Sequence, residues 1–228
     1  MIRIEELAFE YASREFQLRI PHLTIPQGQR VAIVGPSGCG KSTLLSLIAG
    51  AFLPERGTIQ INETDVHRLT DAQRRRFRVT QVGFIFQDFE LIDYLTVREN
   101  ILLPYLINGS LKIEPGVRQR LDRLVTTAGI HQKLKRRPAA MSQGERQRVA
   151  VCRALITNPR LILADEPTGS LDPQTGREVL TLILDQARSL NATLLMVTHD
   201  YSQLNLFDRT LNLLDIAQLA PDVESVQP

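Results

Sequence analysis

Cysteine is scarce in this chain of 228 residues; only Cys39 and Cys152 occur. Two cysteines cannot build a disulfide framework, and they fit a reducing compartment. A long apolar run is missing too. The most apolar stretch, 44–53, is too short to span a bilayer and contains Ser46 and Gly50. The chain is therefore expected not to cross a membrane unaided. Nor is there an excess of one charge: Lys+Arg number 27 against Asp+Glu 25, a formal net charge of +2. A dedicated nucleic-acid binder is expected to be far more basic. The first residues, Met1-Ile2-Arg3-Ile4, lack the apolar core of a secretory signal, so none is expected. What remains is 43% hydrophobic and 23% charged residues, the balance of a globular core. The length suits one large domain, or one with a subdomain.

Ile2 and Ile4, then Phe16, Leu18 and Ile20, alternate with polar residues and predict short strands. Val31–Val34 is a continuous apolar run and predicts a buried parallel strand; Val82–Phe86 is a further buried-strand candidate, and Leu161–Ala164 and Thr193–Val197 read as strands. Thr58–Ile61 reads as an edge strand closed by a turn at Asn62-Glu63. Helices are expected over Lys41–Ala49, Ser142–Ile156 and Thr175–Leu190. Between 88 and 140 the pattern is helical but interrupted, with breakers at Pro104, Pro115-Gly116, Gly129 and Pro138. That segment reads as a helical insertion, and the tail from Ala217 as frayed. Arg74-Arg75-Arg76 with Arg78, and Lys133 to Arg137, read as solvated faces.

Gly35-Pro36-Ser37-Gly38-Cys39-Gly40-Lys41-Ser42 fits the phosphate-loop pattern G-x-x-x-x-G-K-[ST]. It follows a predicted buried strand and opens a predicted helix, as the chemistry requires. Gly38 and Gly40 let backbone N–H groups turn inward onto phosphate oxygens, and the helix start adds partial positive charge. Lys41 supplies a full charge for the β- and γ-phosphates, and the Ser42 hydroxyl can ligate Mg²⁺. The loop residues from Gly35 through Thr43 are thus candidates to bind ATP. Cys39, inside the loop and beside Lys41, admits two readings: a reactive thiol, or a small residue that fits.

Leu161-Ile162-Leu163-Ala164 ends in Asp165-Glu166. Ligands of open α/β sheets bind at the carboxyl ends of strands, which places both acids near the phosphates. Asp165 is the candidate Mg²⁺ ligand and Glu166 the candidate general base for an attacking water. An acidic turn before Pro167 is the alternative.

Ser142 and Glu145 form S-x-x-E, a capping box at a helix start. Gly144 within it is expected to expose its backbone. The whole segment, Met141-Ser142-Gln143-Gly144-Glu145, resembles the signature motif of ATP-binding cassette (ABC) ATPases. Met141 stands where that family usually has Leu, and Gln143 where it usually has Gly. The resemblance covers about 1–215. It implies an α/β fold: a P-loop NTPase with a mainly parallel core sheet, an N-terminal antiparallel β subdomain and an inserted helical subdomain. The core would be 1–87 with 141–216, the helical subdomain 88–140, and the tail 217–228.

The resemblance also implies roles. Tyr11 matches the aromatic that stacks on adenine. Gln87 matches the glutamine that reaches Mg²⁺ or water. His199 matches the switch histidine that bonds the γ-phosphate. Ser142, Gln143, Gly144 and Glu145 would meet the ATP held by a second protomer, with Asp172 crossing the same interface. The implied protein is a cytoplasmic ATP-hydrolysing subunit, a head-to-tail homodimer on ATP, peripheral to the cell membrane. It drives a separate integral membrane permease, and no nucleic acid is expected. Phe89, Leu91 and Tyr94, just after Gln87, are candidate permease contacts.

Glu145-Arg146-Gln147-Arg148-Val149, the run from Ala164 to Asp172, and Gly83 to Gln87 resemble the lipoprotein-releasing and macrolide-efflux branch. Sugar-importer ATPases usually carry a C-terminal regulatory domain, for which the residues after His199 are too few. An importer ATPase without that domain stays open. A soluble ABC ATPase acting on nucleic acid or the ribosome also stays open, though the second cassette or long insertion typical of such proteins is not seen.

Overall fold

The computed structural model describes residues 2–12 and 16–219. The N-terminal alternation becomes two antiparallel strands, β1 (Ile2–Glu10) and β2 (Gln17–Ile25). Glu6 adopts φ 49°, and pairing to the next strand slips between Glu5 and Ala8. This bulge carries the inward phase from Ile2 and Ile4 to Leu7 and Phe9, so all four are buried. The partner is β4 (Arg56–Ile61), followed by β5 (Thr64–Asp65) after the expected turn at Asn62-Glu63. β4 was expected at an edge; it lies inside, between β1 and the two-residue β5. The other edge is covered as well. The tail expected to fray from Ala217 adds β10 (Gln218–Leu219), pairing with Arg19 and Leu18 of β2. Its backbone occupies ladder groups that an edge strand would leave open. The rest of that tail, 220–228, lies outside the described residues.

The second sheet is parallel throughout its described pairs, in the order β6–β7–β8–β3–β9. It comprises β3 (Arg30–Val34), β6 (Val82–Ile85), β7 (Leu161–Asp165), β8 (Thr193–Val197) and β9 (Arg209–Asn212). Its central strands are buried almost completely, which is why they read as unbroken apolar runs. β9 was not foreseen. Arg30 fastens its approach, donating from Nη2 to Asp208 Oδ1 at 2.5 Å. Because the strands run parallel, the residues following β3, β6, β7 and β8 all emerge at one edge.

Helices pack on this frame. α1 (Lys41–Ile48) follows β3, and α2 (Asp71–Gln81) leads into β6. α2 begins at a reciprocal capping box, Thr70 with Gln73, of the same kind as that of Ser142 with Glu145. α3 (Val97–Ile107) runs through Pro104, expected to break it. The ring forfeits the bond its N–H would have made to the Asn100 carbonyl, and packing of α3 against α5 carries the helix past it. α4 (Pro115–Thr127) and α5 (Gln143–Leu155) follow, with α6 (Pro173–Ser189) between β7 and β8. One apolar cluster joins Ile101 of α3, Leu121 of α4, Val149 of α5 and Ile183 of α6. The inserted helices therefore share a core with the sheet's covering helices. α7 (Leu213–Ile216) precedes β10. No helix among the described residues is long and apolar enough to cross a membrane.

Candidate functional site

A cleft of about 380 Å³ opens at the carboxyl end of β3. Tyr11, Phe16, Lys41, Ser42, Glu166 and His199 line it, with Ser37, Gly38, Gly40 and Thr43. Gly40 opens α1 at φ 101°, and no side chain caps that helix start. Its first backbone N–H groups therefore lack a side-chain partner, as an anion site needs. A Cβ at Gly40 would sit 2.5 Å from the Phe16 ring, so only glycine admits that ring over the loop. Lys41 is buried, and its Nζ donates to the Gly35 carbonyl at 2.9 Å and the Pro36 carbonyl at 2.7 Å. An ammonium has three protons, so one is left for a phosphate. Ser42 is exposed at the rim. Thr43 is buried, its hydroxyl 2.9 Å from that of Tyr11. The Tyr11 ring is held edge-on to Phe9 and Phe52, at 5.0 and 5.8 Å between centroids.

Cys39 differs from its loop neighbours. It is buried, and its sulfur lies 2.9 Å from where a Cβ on Gly35 would sit. The thiol is packed beneath the loop and is not among the residues lining the cleft.

Glu166 stands one residue past β7 at φ 45°, a strained setting for a residue with a Cβ, costing about 1–3 kcal/mol. Its N–H donates to the Val197 carbonyl at 3.1 Å, and Oε1 is 2.5 Å from His199 Nε2. Asp165, half-buried, ends β7 beside Val197. Gln87 Nε2 and Glu166 Oε2 each lie 3.6 Å from the point where a Gly169 Cβ would be, so both face that turn. Asp172 caps α6, its Oδ1 accepting from the Thr175 N–H at 3.0 Å. This bonding at Thr175 holds the Asp172 carboxyl below its ordinary range. With Glu166, His199 and Asp200 it borders a neighbouring cleft of about 300 Å³.

The signature segment stands apart. None of Ser142, Gln143, Gly144 and Glu145 lines either cleft. Ser142 Oγ accepts from the Glu145 N–H at 3.2 Å, and Glu145 Oε2 accepts from the Ser142 N–H at 3.1 Å. Glu145 also pairs with Lys133 at 3.0 Å. Ser142 and Gln143 are exposed, but Gly144, expected to expose its backbone, is buried. A Cβ there would come within 2.4 Å of Thr175 Cγ2. Its missing side chain lets the starts of α5 and α6 approach closely.

Two residues escaped the sequence reading. The alternation of Phe16 with Leu18 and Ile20 predicts a strand residue, yet β2 begins one residue later and the Phe16 ring turns to the phosphate loop. Gln147 is a buried amide between the Phe86 and Pro167 carbonyls. Its one signal was a polar residue within a buried helix stripe.

Ser42, Asp165 and Gln87 offer oxygen donors that suit a hard cation such as Mg²⁺. Among the described residues no group of three or more His, Cys, Asp or Glu could hold a metal by itself. A cation here needs phosphate oxygens and water to complete its shell.

The model of the ABC transporter family matches residues 18–169. This chain belongs to the ABC transporter family. It is an ATP-binding cassette with the fold and ATPase machinery of that family. The lipoprotein-releasing system ATP-binding protein LolD of Coxiella burnetii is 38% identical over 229 residues, covering 98% of this chain and 97% of its own. The ABC transporter ATP-binding protein YtrE of Bacillus subtilis is 44% identical over 179 residues, covering 78% and 76%. Among solved structures, the dimeric cassette MJ0796 in a post-hydrolysis state with ADP and Pi superposes with a TM-score of 0.82. It is 32% identical over 93% of this chain and 94% of its own.

Proposed function

We propose that this cassette is the cytoplasmic, membrane-peripheral ATPase subunit of a lipoprotein-releasing transporter. It works as a head-to-tail homodimer on ATP and drives a separate integral membrane permease. The match to LolD along nearly the whole chain supports the lipoprotein-release reading. The separation of the signature segment from the chain's own phosphate loop carries the dimer reading. Residues 1–87 with 141–216 act as the core and 88–140 as the helical subdomain.

In the proposed mechanism the adenine stacks on Tyr11, with Phe16 closing the loop side. Backbone N–H groups from Gly38 to Thr43 and the remaining Lys41 proton hold the β- and γ-phosphates. Ser42, Asp165 and Gln87 would hold Mg²⁺, which would supply positive charge against the phosphates. Glu166 takes a proton from the water that attacks the γ-phosphorus, and the bond to the bridging oxygen breaks to release ADP. His199 fixes the carboxylate and reaches the γ-phosphate. The exposed Ser142 and Gln143 of the second copy, with its Asp172, close the open side.

For the permease contact we favour an apolar groove beside α3 over Phe89, Leu91 and Tyr94. Leu91 packs on the apolar core, and Phe89 sits beneath the Arg146 guanidinium, 5.1 Å from the ring centroid. Tyr94 is exposed but is not among the residues lining the apolar groove. That groove is bordered by Val79, Val82, Phe84, Leu103, Pro104 and Ile107. Leu106 and Ile107 beside it are 55% and 67% exposed, an apolar patch of the kind that marks an interface. The test is co-purification from detergent-solubilised membranes. The wild-type chain should bring down an integral membrane permease. Ile107→Glu should lose it with basal ATPase intact. Recovery only with ribosomes or nucleic acid would overturn the reading.

A further inference from the structure

We propose that Gln147 is a positioning residue that fixes the Gln87 loop and the Glu166 turn relative to each other. The inference rests on the roles given to those two residues above. Gln147 is 0% exposed on the inner face of α5, five residues past the exposed Ser142 that caps the helix. Its Nε2 donates to the Pro167 carbonyl at 2.7 Å and the Phe86 carbonyl at 3.4 Å. Pro167 follows Glu166, and Phe86 precedes Gln87, so one amide joins the two catalytic segments. Both amide protons are thereby engaged.

The other half of the amide is unusual. Gln147 Oε1 is buried with no partner. Burying an unpaired carbonyl is unfavourable, and an apolar side chain of similar length would avoid it. Packing alone therefore does not explain the residue. Neighbours on α5 grip the same loop: Arg146 stacks on Phe89, and Arg153 donates to the Phe89 carbonyl at 2.7 Å and to the Glu90 carbonyl. Phe89 and Glu90 are both left-handed, at φ 61° and 49°. Of these three side chains, Gln147 also reaches the Glu166 turn. Displacement of α5 by a nucleotide at Ser142 would thus reach Gln87 and Glu166 through one residue.

The experiment measures kcat, KM, affinity for a fluorescent ATP analogue and Tm. Variants are Gln147→Met, Gln147→Asn, Glu166→Gln and the Gln147→Met/Glu166→Gln pair. Gln147→Met should lower kcat by about tenfold or more, with nucleotide affinity within about threefold of wild type. Gln147→Asn, one methylene too short to span both carbonyls, should fall in the same direction. In the Glu166→Gln background the further loss should be under about twofold, because the effect acts through Glu166. Full turnover in Gln147→Met, or affinity falling in step with kcat, would overturn the inference. So would both single variants failing to fold, which would make the residue structural. If Glu166→Gln itself keeps wild-type turnover, the underlying assignment of the base fails instead.

Discussion

The Glu166 carboxylate lies 2.5 Å from His199 Nε2, although the two residues follow different strands. The parallel register explains the meeting. Asp165 of β7 sits beside Val197 of β8, so the residues just past each strand end emerge side by side. The Glu166 N–H, bonded to the Val197 carbonyl, fixes the turn that aims the carboxylate. An imidazole donating to a carboxylate orients it without displacing it from the cleft.

Glu166→Gln should therefore keep nucleotide binding and lose the base. Its kcat should fall by roughly 10²–10⁴-fold, the usual contribution of a positioned general base. Dimers should accumulate with ATP, visible by multi-angle light scattering. Lys41→Ala should instead weaken nucleotide binding itself. Hydrolysis at the wild-type rate in Glu166→Gln would remove Glu166 from the mechanism.

Neither cysteine should react in the folded protein. Cys39 is buried beneath the phosphate loop, and burial pushes the Cys152 thiol up to about 12. Burial keeps bulky reagents from Cys39, and the raised pKa of Cys152 leaves little thiolate to attack. Bulky maleimides should leave ATPase activity unchanged, and mass spectrometry should find labelling only after denaturation. Inhibition that bound nucleotide prevents, and that Cys39→Ser abolishes, would show the thiol open to the cleft.

The parallel strands and the site they carry were legible because both obey strong local rules. Val31–Val34 and Thr193–Val197 are buried on both faces, so their composition alone announces them. The phosphate loop needs its glycines and Lys41 at fixed spacing, whatever surrounds them. Other features depend on contacts distant in sequence. Gly144 reads as exposing its backbone, and only the approach of Thr175 reveals that it is packed. Pro104 reads as a breaker, yet packing of α3 against α5 carries the helix past it. β9 lacks a long apolar run and is held in place by Asp208 on Arg30. Gln147 is invisible without the two carbonyls it joins.

Acid should loosen the start of α5. The Lys133 ammonium, and then the Ser142 N–H, hold the Glu145 carboxyl below its ordinary value of 4.5. A lowered folded-state pKa stabilises the protein above the ordinary value, and that contribution is lost as pH falls through the lowered one. Glu99, Asp172, Asp200 and Asp208 are shifted in the same direction, so Glu145 supplies one part of the slope. Glu145→Gln should start from a lower Tm at neutral pH and lose less of it below about pH 4.5. An unchanged slope against pH would show that the pairing with Lys133 does not contribute.

Two inactive chains should rebuild one working site if the site is shared. In the proposed mechanism Lys41, the loop N–H groups and His199 hold the γ-phosphate from one side, so donors on the other side would come from a second copy. Ser142 and Gln143 are exposed and line neither cleft of their own chain. Lys41→Ala removes the ammonium from one face of a site, and Ser142→Arg blocks the other. In a heterodimer of these variants with shared sites, one site collects both defects. The other joins an intact Lys41 to an intact Ser142. If each chain builds its own site, both sites stay defective. With Glu166→Gln added to both chains to prevent turnover, the heterodimer should occlude one ATP, while each homodimer should occlude none. Occlusion is the sharper readout, because coupling between sites can silence hydrolysis at an intact one. Differently tagged chains that assemble and still trap no ATP would rule out the shared site.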